Sequence, residues 1–296
     1  MRFDLETVLA LLTFLTGSVW LLDALFFARA RRRRIAVVDG PAAPAVAGAR
    51  PAGKRRDPLV VEYARSFFPL VLIVLLLRSF VVAPFHIPSS SMVPTLLVGG
   101  FILVNKFDYG LRLPVINTKI IPVGQPRRGD VLVFHYPEAS ARLYCQGNPL
   151  CADTGGMREV YSSAGTDYIK RIIGLPGDRI AYRGGTLYVN GKAMQDKVLG
   201  LYTGNDALGA TLLQEKSGKL THDILAFRGQ VGPQGEWTVP PRNYFVLGDN
   251  RGNSFDSRYW GFVPASDIVG RAFFVWFNID AFRNSALWHR VGGVIH

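Results

Sequence analysis

Cysteine, histidine and acidic residues are sparse in this chain of 296 residues, and each scarcity removes a class of chemistry. The two cysteines, Cys145 and Cys151, lack the C-x2-C spacing and have no histidine nearby, which argues against zinc. In an oxidising compartment a disulfide closing their short loop is the expected state, with free thiols as the alternative. The five histidines, His86, His135, His222, His289 and His296, are scattered and form no H-E-x-x-H or paired motif. No metal and no cofactor is therefore expected. None of the five has the local setting of a triad base, and His86 stands too close to Ser91 in sequence for an easy Ser-His-Asp geometry. Asp and Glu number 22 against 34 Lys and Arg, leaving a net charge of +12. No internal repeat occurs, and no convincing amphipathic helix follows residue 101.

Apolar residues are abundant instead, at 49%, a high figure for a fully soluble protein. Residues 5–28 carry one charge beyond Glu6, Asp23, and match the ~20 residues a helix needs to cross a bilayer. A cleavable signal peptide with Ala28-Arg29-Ala30 as its cut site is the rival reading, but the basic residues follow the apolar run instead of preceding it. A second run, 67–77 continuing to residue 83, is long enough to span if its helix begins near Val61, and Arg78 can snorkel to the interface. A buried core helix is its alternative. Between the runs, up to residue 56, nine cations face Asp39 alone, which places +8 of the +12 in one segment. A nucleic-acid patch would need interleaved aromatics, so no nucleic-acid partner is expected, and the positive-inside rule accounts for the cluster. The Ala/Pro/Gly-rich stretch 41–53 is too poor in large apolar residues to pack. The resulting division is a first transmembrane helix (1–28), a basic cytoplasmic loop (29–60), a second transmembrane helix (61–84) and an exported domain (85–296).

The exported part reads as mainly β, with antiparallel sheets of sandwich or barrel type. Strands are expected at 101–106, 131–136, 168–173, 179–182, 186–189, 211–214, 224–227, 236–239, 244–247 and 268–277. Val189-Asn190-Gly191-Lys192 predicts a tight hairpin, since Asn-Gly suits the positive φ values of a type I′ turn. Segments 137–167 and 194–234 read as extended loops or accessory hairpins.

Three stretches could carry chemistry. Ser89-Ser90-Ser91 lies between Pro88 and Pro94, which restrict the backbone and favour a single extended path. Serine runs are more often plain loops. With no histidine base, a hydroxyl would need a neutral lysine. Of the seven lysines after the second span, only Lys170 sits mid-strand in an apolar frame, where it shares a face with Tyr168 and Ile172 while Arg171 points the other way. One of these two cations is expected to be buried, and a solvent-facing lysine is the alternative. Lowering a lysine pKa from about 10.4 by two or three units costs ~3–4 kcal/mol of packing energy, within reach of a domain this size. The third stretch, 248–264, is dense in small and charged residues. Asp256 and Arg258 could lock it through charge-assisted hydrogen bonds, whereas its arginines make a calcium loop a poor reading.

Together these stretches resemble the bacterial type I signal peptidases, membrane-bound leader peptidases of the Ser/Lys serine-protease family. Residues 87–96 resemble the nucleophile motif, 128–134 the strand motif that follows it, 168–178 the lysine motif and 248–258 the last motif. The end of the chain, 290–296, is similar to Gram-negative members. The resemblance implies Ser91 as nucleophile and Lys170 as general base. It also implies an oxyanion hole from the Ser89 hydroxyl and the Ser91 N–H, with Ser254 orienting the lysine. Phe85, Ile87, Tyr168 and Ile169 would line the pocket for small side chains, with Asp249, Asp256 and Arg258 as structural support. The implied partners are exported preproteins with signal peptides, membrane lipid and the neighbouring secretion translocon. The implied location is the bacterial inner membrane, crossed twice, with the catalytic domain periplasmic. Three departures stand out. Ser90 replaces a common glycine, Gly252 replaces a common aspartate, and the cysteines precede the lysine motif, so a disulfide rests on the compartment argument alone. Two other classes remain: a specialised enzyme maturing a single partner such as a pilin, and a non-catalytic membrane-anchored adaptor of exported chains. A self-cleaving repressor would need a helix-turn-helix in place of the two spans.

Overall fold

Two predominantly apolar stretches form helices. The computed structural model describes residues 5–27, 58–112, 119–121, 123–149, 151, 165–218, 220–279, 288 and 291–295. The basic segment expected to be cytoplasmic lies almost wholly outside them. The chain divides after Val81 into a helical unit and a second, β-rich unit. Helix α1 spans Leu5–Leu22 and widens into a π-type turn over Asp23–Phe27, and α2 spans Leu59–Leu76 with a similar turn over Leu77–Val81. Both are long and apolar enough to cross a membrane, over 21 residues at Thr7–Phe27 and 23 at Leu59–Val81. They pack at Gly17, where a Cβ would come within 2.7 Å of the Phe68 ring, and through Trp20 on Phe68 with centroids 5.4 Å apart. The second helix stops at Val81 instead of residue 84. Pro84 has no N–H to donate and disfavours a helical Ala83, so the chain turns extended at this point.

The second unit begins with β1 (Val82–His86), β2 (Gly100–Asn105), the short pair β3 (Leu111–Arg112) and β4 (Lys119–Ile121), and β5 (Val131–His135). After helix α3 (Glu138–Cys145) come β6 (Asp167–Gly174), β7 (Arg179–Arg183), β8 (Thr186–Val189), β9 (Lys192–Ala193), β10 (Gln195–Leu201), β11 (Thr211–Ser217) and β12 (Leu220–Ala226). The rest are β13 (Gly235–Thr238), β14 (Asn243–Leu247), helix α4 (Ser257–Trp260), β15 (Val263–Pro264), β16 (Ile268–Asn278) and β17 (Gly293–Val294). The main sheet runs β1-β2-β16-β5-β6-β14-β15, with β17 on β16. Its pairings are all antiparallel. Two accessory sheets, β13-β7-β8-β9 and β10-β11-β12, complete the larger elements. The β8–β9 turn has φ of 51° at Asn190 and 77° at Gly191, the positive values that Asn-Gly tolerates.

Each expected strand coincides with an observed one to within a few residues. The continuous apolar runs have a physical reason: the central strands are covered on both faces. Val131 and Val133 join one buried cluster with Met92, Leu96, Ile102 and Val104, while Leu132 and Phe134 join another with Ile172, Val246 and Trp260. Helix α3 was not foreseen inside 137–167. Its two turns are too short for periodicity to register, and tertiary packing of Ala141 and Cys145 on the Trp260 cluster holds it. Cys145 and Cys151 are joined as a disulfide, with Cα atoms 5.3 Å apart. The 194–234 segment forms the β10–β12 sheet, all seven residues of β10 being exposed. Trp260 is fully buried between α3 and the main sheet. Replacing Trp260 with Ala should destabilise the protein by about 3–5 kcal/mol in a denaturant titration, and Trp260→Phe by clearly less.

Candidate active site

The Ile87–Ser91 segment leaves β1 pinned at its start, then bends at Ser89–Ser90 into a turn that begins at Ser91 instead of keeping one extended path. Ile87 N–H donates to the Gly100 carbonyl at 2.8 Å, and Gly99 N–H to the Ile87 carbonyl at 2.9 Å. Met92 and Val93 then plunge into the core, which anchors the chain directly after Ser91. Lys170 reaches the same point from β6, where it pairs with Leu132 of β5. Its Nζ donates to Ser91 Oγ at 2.7 Å and to the Ile169 carbonyl at 3.0 Å. The amine lies 5.3 Å from the Tyr168 ring centroid, consistent with a shared strand face.

Both cations of the Lys170-Arg171 pair are buried, at 3% and 0% exposure, where one was expected. Each face of β6 is covered, and the two are accommodated differently. Arg171 has a full set of acceptors: Nε and Nη2 reach Asp249 Oδ1 and Oδ2 at 2.9 and 2.7 Å, and Nη1 reaches the Gly129 carbonyl at 2.9 Å. Among the described residues, no carboxylate lies within hydrogen-bond reach of Lys170. Burial pushes its pKa down to about 8, against opposing pulls from Asp256 and Asp249, and the Arg258 cation assists. An amine so poised is partly neutral near pH 8 and can accept the proton of a hydroxyl.

The loop after β14 holds this geometry. Burial alone would raise the Asp249 and Asp256 carboxyls, but Arg171 and Arg258 respectively hold each below the usual carboxylate range. Asp256 grips Arg258 at 2.8 Å through both oxygens and also accepts from Gly248 N–H at 3.1 Å. Asn250 clamps the serine segment, its N–H donating to the Ser91 carbonyl and its Nδ2 to the Ser90 carbonyl, both at 3.1 Å. The Ser90 hydroxyl accepts from Asn253 Nδ2 at 3.1 Å. Gly252 also has a reason, since a Cβ there would approach Phe227 to 2.8 Å.

The remaining expected residues are placed unevenly. Ser89 Oγ is 3.4 Å from Ser91 Oγ, on an exposed residue. Phe85, Ile87 and Ile169 share a cluster with Met92, whereas Tyr168 packs on the other face of β6 with Phe134 and Tyr136. Ser254 Oγ is buried beside Asp256, close enough to help lower that carboxyl yet outside hydrogen-bond geometry. It makes no hydrogen bond to Lys170. Gly248 keeps this corner open, because a Cβ there would lie 2.2 Å from Ser254 Oγ and 2.5 Å from the Ser91 carbonyl. A cavity of about 330 Å³ has Ile87, Leu96, Leu97, Val275 and Ile295 on its walls, away from Ser91 and Lys170.

The family profile described as "Signal peptidase, peptidase S26" matches residues 60–277, most of the chain. The chain belongs to this signal peptidase family. Among its relatives, "Signal peptidase I" of Pseudomonas aeruginosa is 43% identical over the whole of both chains. That of Pseudomonas fluorescens is 44% identical over 93% of each. That of Bacillus caldolyticus is 36% identical over 70% of this chain and 86% of its own. With two N-terminal helices of spanning length, this signal peptidase family member is membrane-anchored.

Sequence reasoning missed several residues that shape the site of this family member. Thr95 donates to Asp249 Oδ2 at 2.5 Å, and Asn250 and Asn253 tie the serine segment. Their amides lie in a stretch already singled out for its density of small polar residues. Glu215 and His222, by contrast, carry no local signal.

Lys170 should titrate near pH 8 in NMR of lysine-labelled protein, and a midpoint above 10 would contradict the burial argument. The folded pKa lies below the ordinary 10.5, so the unfolded chain binds more protons between about 8 and 10.5. This group's contribution to stability therefore rises with pH across that window, and below it the buried amine costs ~3 kcal/mol.

Proposed function

We propose that this chain is a membrane-anchored serine endopeptidase that removes N-terminal signal peptides from exported preproteins. The observation that carries the reading is the 2.7 Å contact between Lys170 Nζ and Ser91 Oγ, both on buried side chains. Neutral Lys170 takes the Ser91 proton as Oγ attacks the carbonyl carbon of the residue before the cut. The Ser89 hydroxyl and the Ser91 N–H hold the oxyanion. Charged Lys170 returns the proton to the leaving amine, and water then hydrolyses the acyl-enzyme with Lys170 again as base. Asp249, Asp256 and Arg258 support the lysine, with Ser254 set beside Asp256, and Phe85, Ile87, Tyr168 and Ile169 line shallow pockets for the small residues of A-x-A sites. The substrate binds extended along the free edge of β1, the outermost strand of the main sheet.

Topology follows from the charge pattern. The basic segment stays in the cytoplasm and the catalytic unit lies on the periplasmic side of the inner membrane, near the secretion translocon. Half-exposed Trp276 and Trp288 meet the lipid surface. No nucleic acid, metal or cofactor takes part.

Incubation of detergent-solubilised protein with a preprotein, with the cut mapped by mass spectrometry, should give cleavage after an A-x-A site. Ser91→Ala and Lys170→Met should each abolish it while remaining folded, and substantial cleavage by either would sink the dyad. Ser89→Ala should lower kcat by roughly 10²–10³-fold, the usual loss for one oxyanion donor. The kcat/KM profile should rise with pH through about 8, the Lys170 value. A limb at about pH 6–7 would implicate a histidine instead.

A further inference from the structure

Two titratable side chains that the proposed chemistry leaves unused are buried on the accessory sheet, Glu215 on β11 at 1% exposure and His222 on β12 at 7%. They face each other in the strand register. Glu215 takes both arms of Arg251, Oε1 accepting from Nη1 at 2.6 Å and Oε2 from Nη2 at 2.5 Å. His222 Nε2 stands 3.3 Å from Glu215 Oε2 and 3.9 Å from Asp249 Oδ1. Asp249 in turn grips Arg171, the neighbour of Lys170. Burial raises the Glu215 carboxyl, but Arg251 and His222 more than offset this and bring it down to about 2. The other accessory sheet holds its ion pair, Arg183 with Glu236, in water. A buried ion pair is a weak source of net stability, and its best-attested use is to fix the arrangement of the groups it joins.

The groups joined here end at the nucleophile. Leu225 N–H of β12 donates to the Asp249 carbonyl at 2.8 Å, and Arg251 N–H returns a bond to the Leu225 carbonyl at 2.9 Å. The middle residue, Asn250, donates from its N–H to the Ser91 carbonyl and from Nδ2 to the Ser90 carbonyl. Three backbone segments therefore lie side by side, β12, 249–251 and 90–91, with the middle one anchored by its flanking side chains to Glu215 and Arg171, and with buried His222 set against both carboxylates without a hydrogen bond of its own among the described residues.

We propose that Glu215 and His222 are positioning residues for Ser91: Glu215 by holding Arg251, and His222 by filling the space between the Glu215 and Asp249 carboxylates, fix the backbone on which the Ser90 and Ser91 carbonyls hang. Neither touches substrate. The proposal rests on the reading of Ser91 as nucleophile, and it gives the β10–β12 sheet a role in catalysis at a distance.

The test uses full-length protein in detergent: Glu215→Gln, Glu215→Asp, His222→Gln and the double variant Glu215→Leu/Arg251→Leu, with Arg183→Ala as control. Glu215→Gln, His222→Gln and the double variant should each lose about 10- to 100-fold in kcat, the scale of a small misplacement at a reacting group, with KM held within about two-fold. The double variant guards against unfolding, because replacing both partners of a buried pair with apolar residues is often neutral for stability. Glu215→Asp should recover part of the loss, and Arg183→Ala should match the parent. Amide exchange in peptides covering residues 249–251 should quicken about ten-fold in the same variants, and in the double variant it should do so without a fall in Tm. Parental kcat in folded variants, or unchanged exchange at 249–251, overturns the proposal. If the parent itself fails to cleave a preprotein, the catalytic reading falls separately, and the exchange measurement alone decides whether the accessory sheet anchors the Ser90–Ser91 backbone.

Discussion

Keeping a lysine amine dry at 2.7 Å from a serine hydroxyl is the constraint on which the surrounding structure depends. Desolvation at this site opposes the charged form by ~3 kcal/mol, a sizeable share of the 5–15 kcal/mol by which most domains are stable. The fold meets that cost by surrounding Lys170 with a main sheet covered on both faces, Tyr168 and Ile172 on its own side of β6 and Ile169 on the other. The same double coverage forces Arg171 into the interior. That residue cannot shed its charge, so it must be paired, and Asp249 with Thr95 and the Gly129 carbonyl satisfy it.

The loop that follows β14 serves both residues. Its two carboxylates, Asp249 and Asp256, are each neutralised by a bidentate arginine. Left unpaired, either would pull the Lys170 pKa back up. Placing carboxylates near the lysine but bonding them to guanidinium groups fixes the loop without restoring the charged amine. The backbone between these acids also holds the serine segment, through Asn250 and Asn253. Disorder in this loop would therefore affect the position of Ser91 and the pKa of Lys170 together.

Legibility varied with the range of the interactions involved. Strands such as Val131–His135 and Asp167–Gly174 stood out because β-branched and aromatic runs are local properties. The Asn190-Gly191 turn was legible for the same reason. Helix α3 was not, because two turns carry too little periodicity and its stability comes from contact with Trp260. Strand β1 was hidden at the end of an apolar helix, where only Pro84 marks the change. The burial of both Lys170 and Arg171 could not be read from alternation, which says that the two point to opposite faces and not that both faces are covered. The bond from Asn253 to Ser90 was not legible because the two residues lie far apart along the chain.

The sequence alone determined the two spanning helices, the β character of the rest, and the residue types able to do the chemistry, because these rest on composition and on neighbours a few positions apart. Tertiary structure decided which serine meets the lysine, how dry that amine is and which charges stand near it. Those are distances between segments dozens of residues apart, set by sheet order and packing. Glu215 and His222 are the extreme case. Nothing in their own strands marks them, and only the folding of β11 and β12 against the 249–251 backbone brings them to the backbone that holds the serine segment.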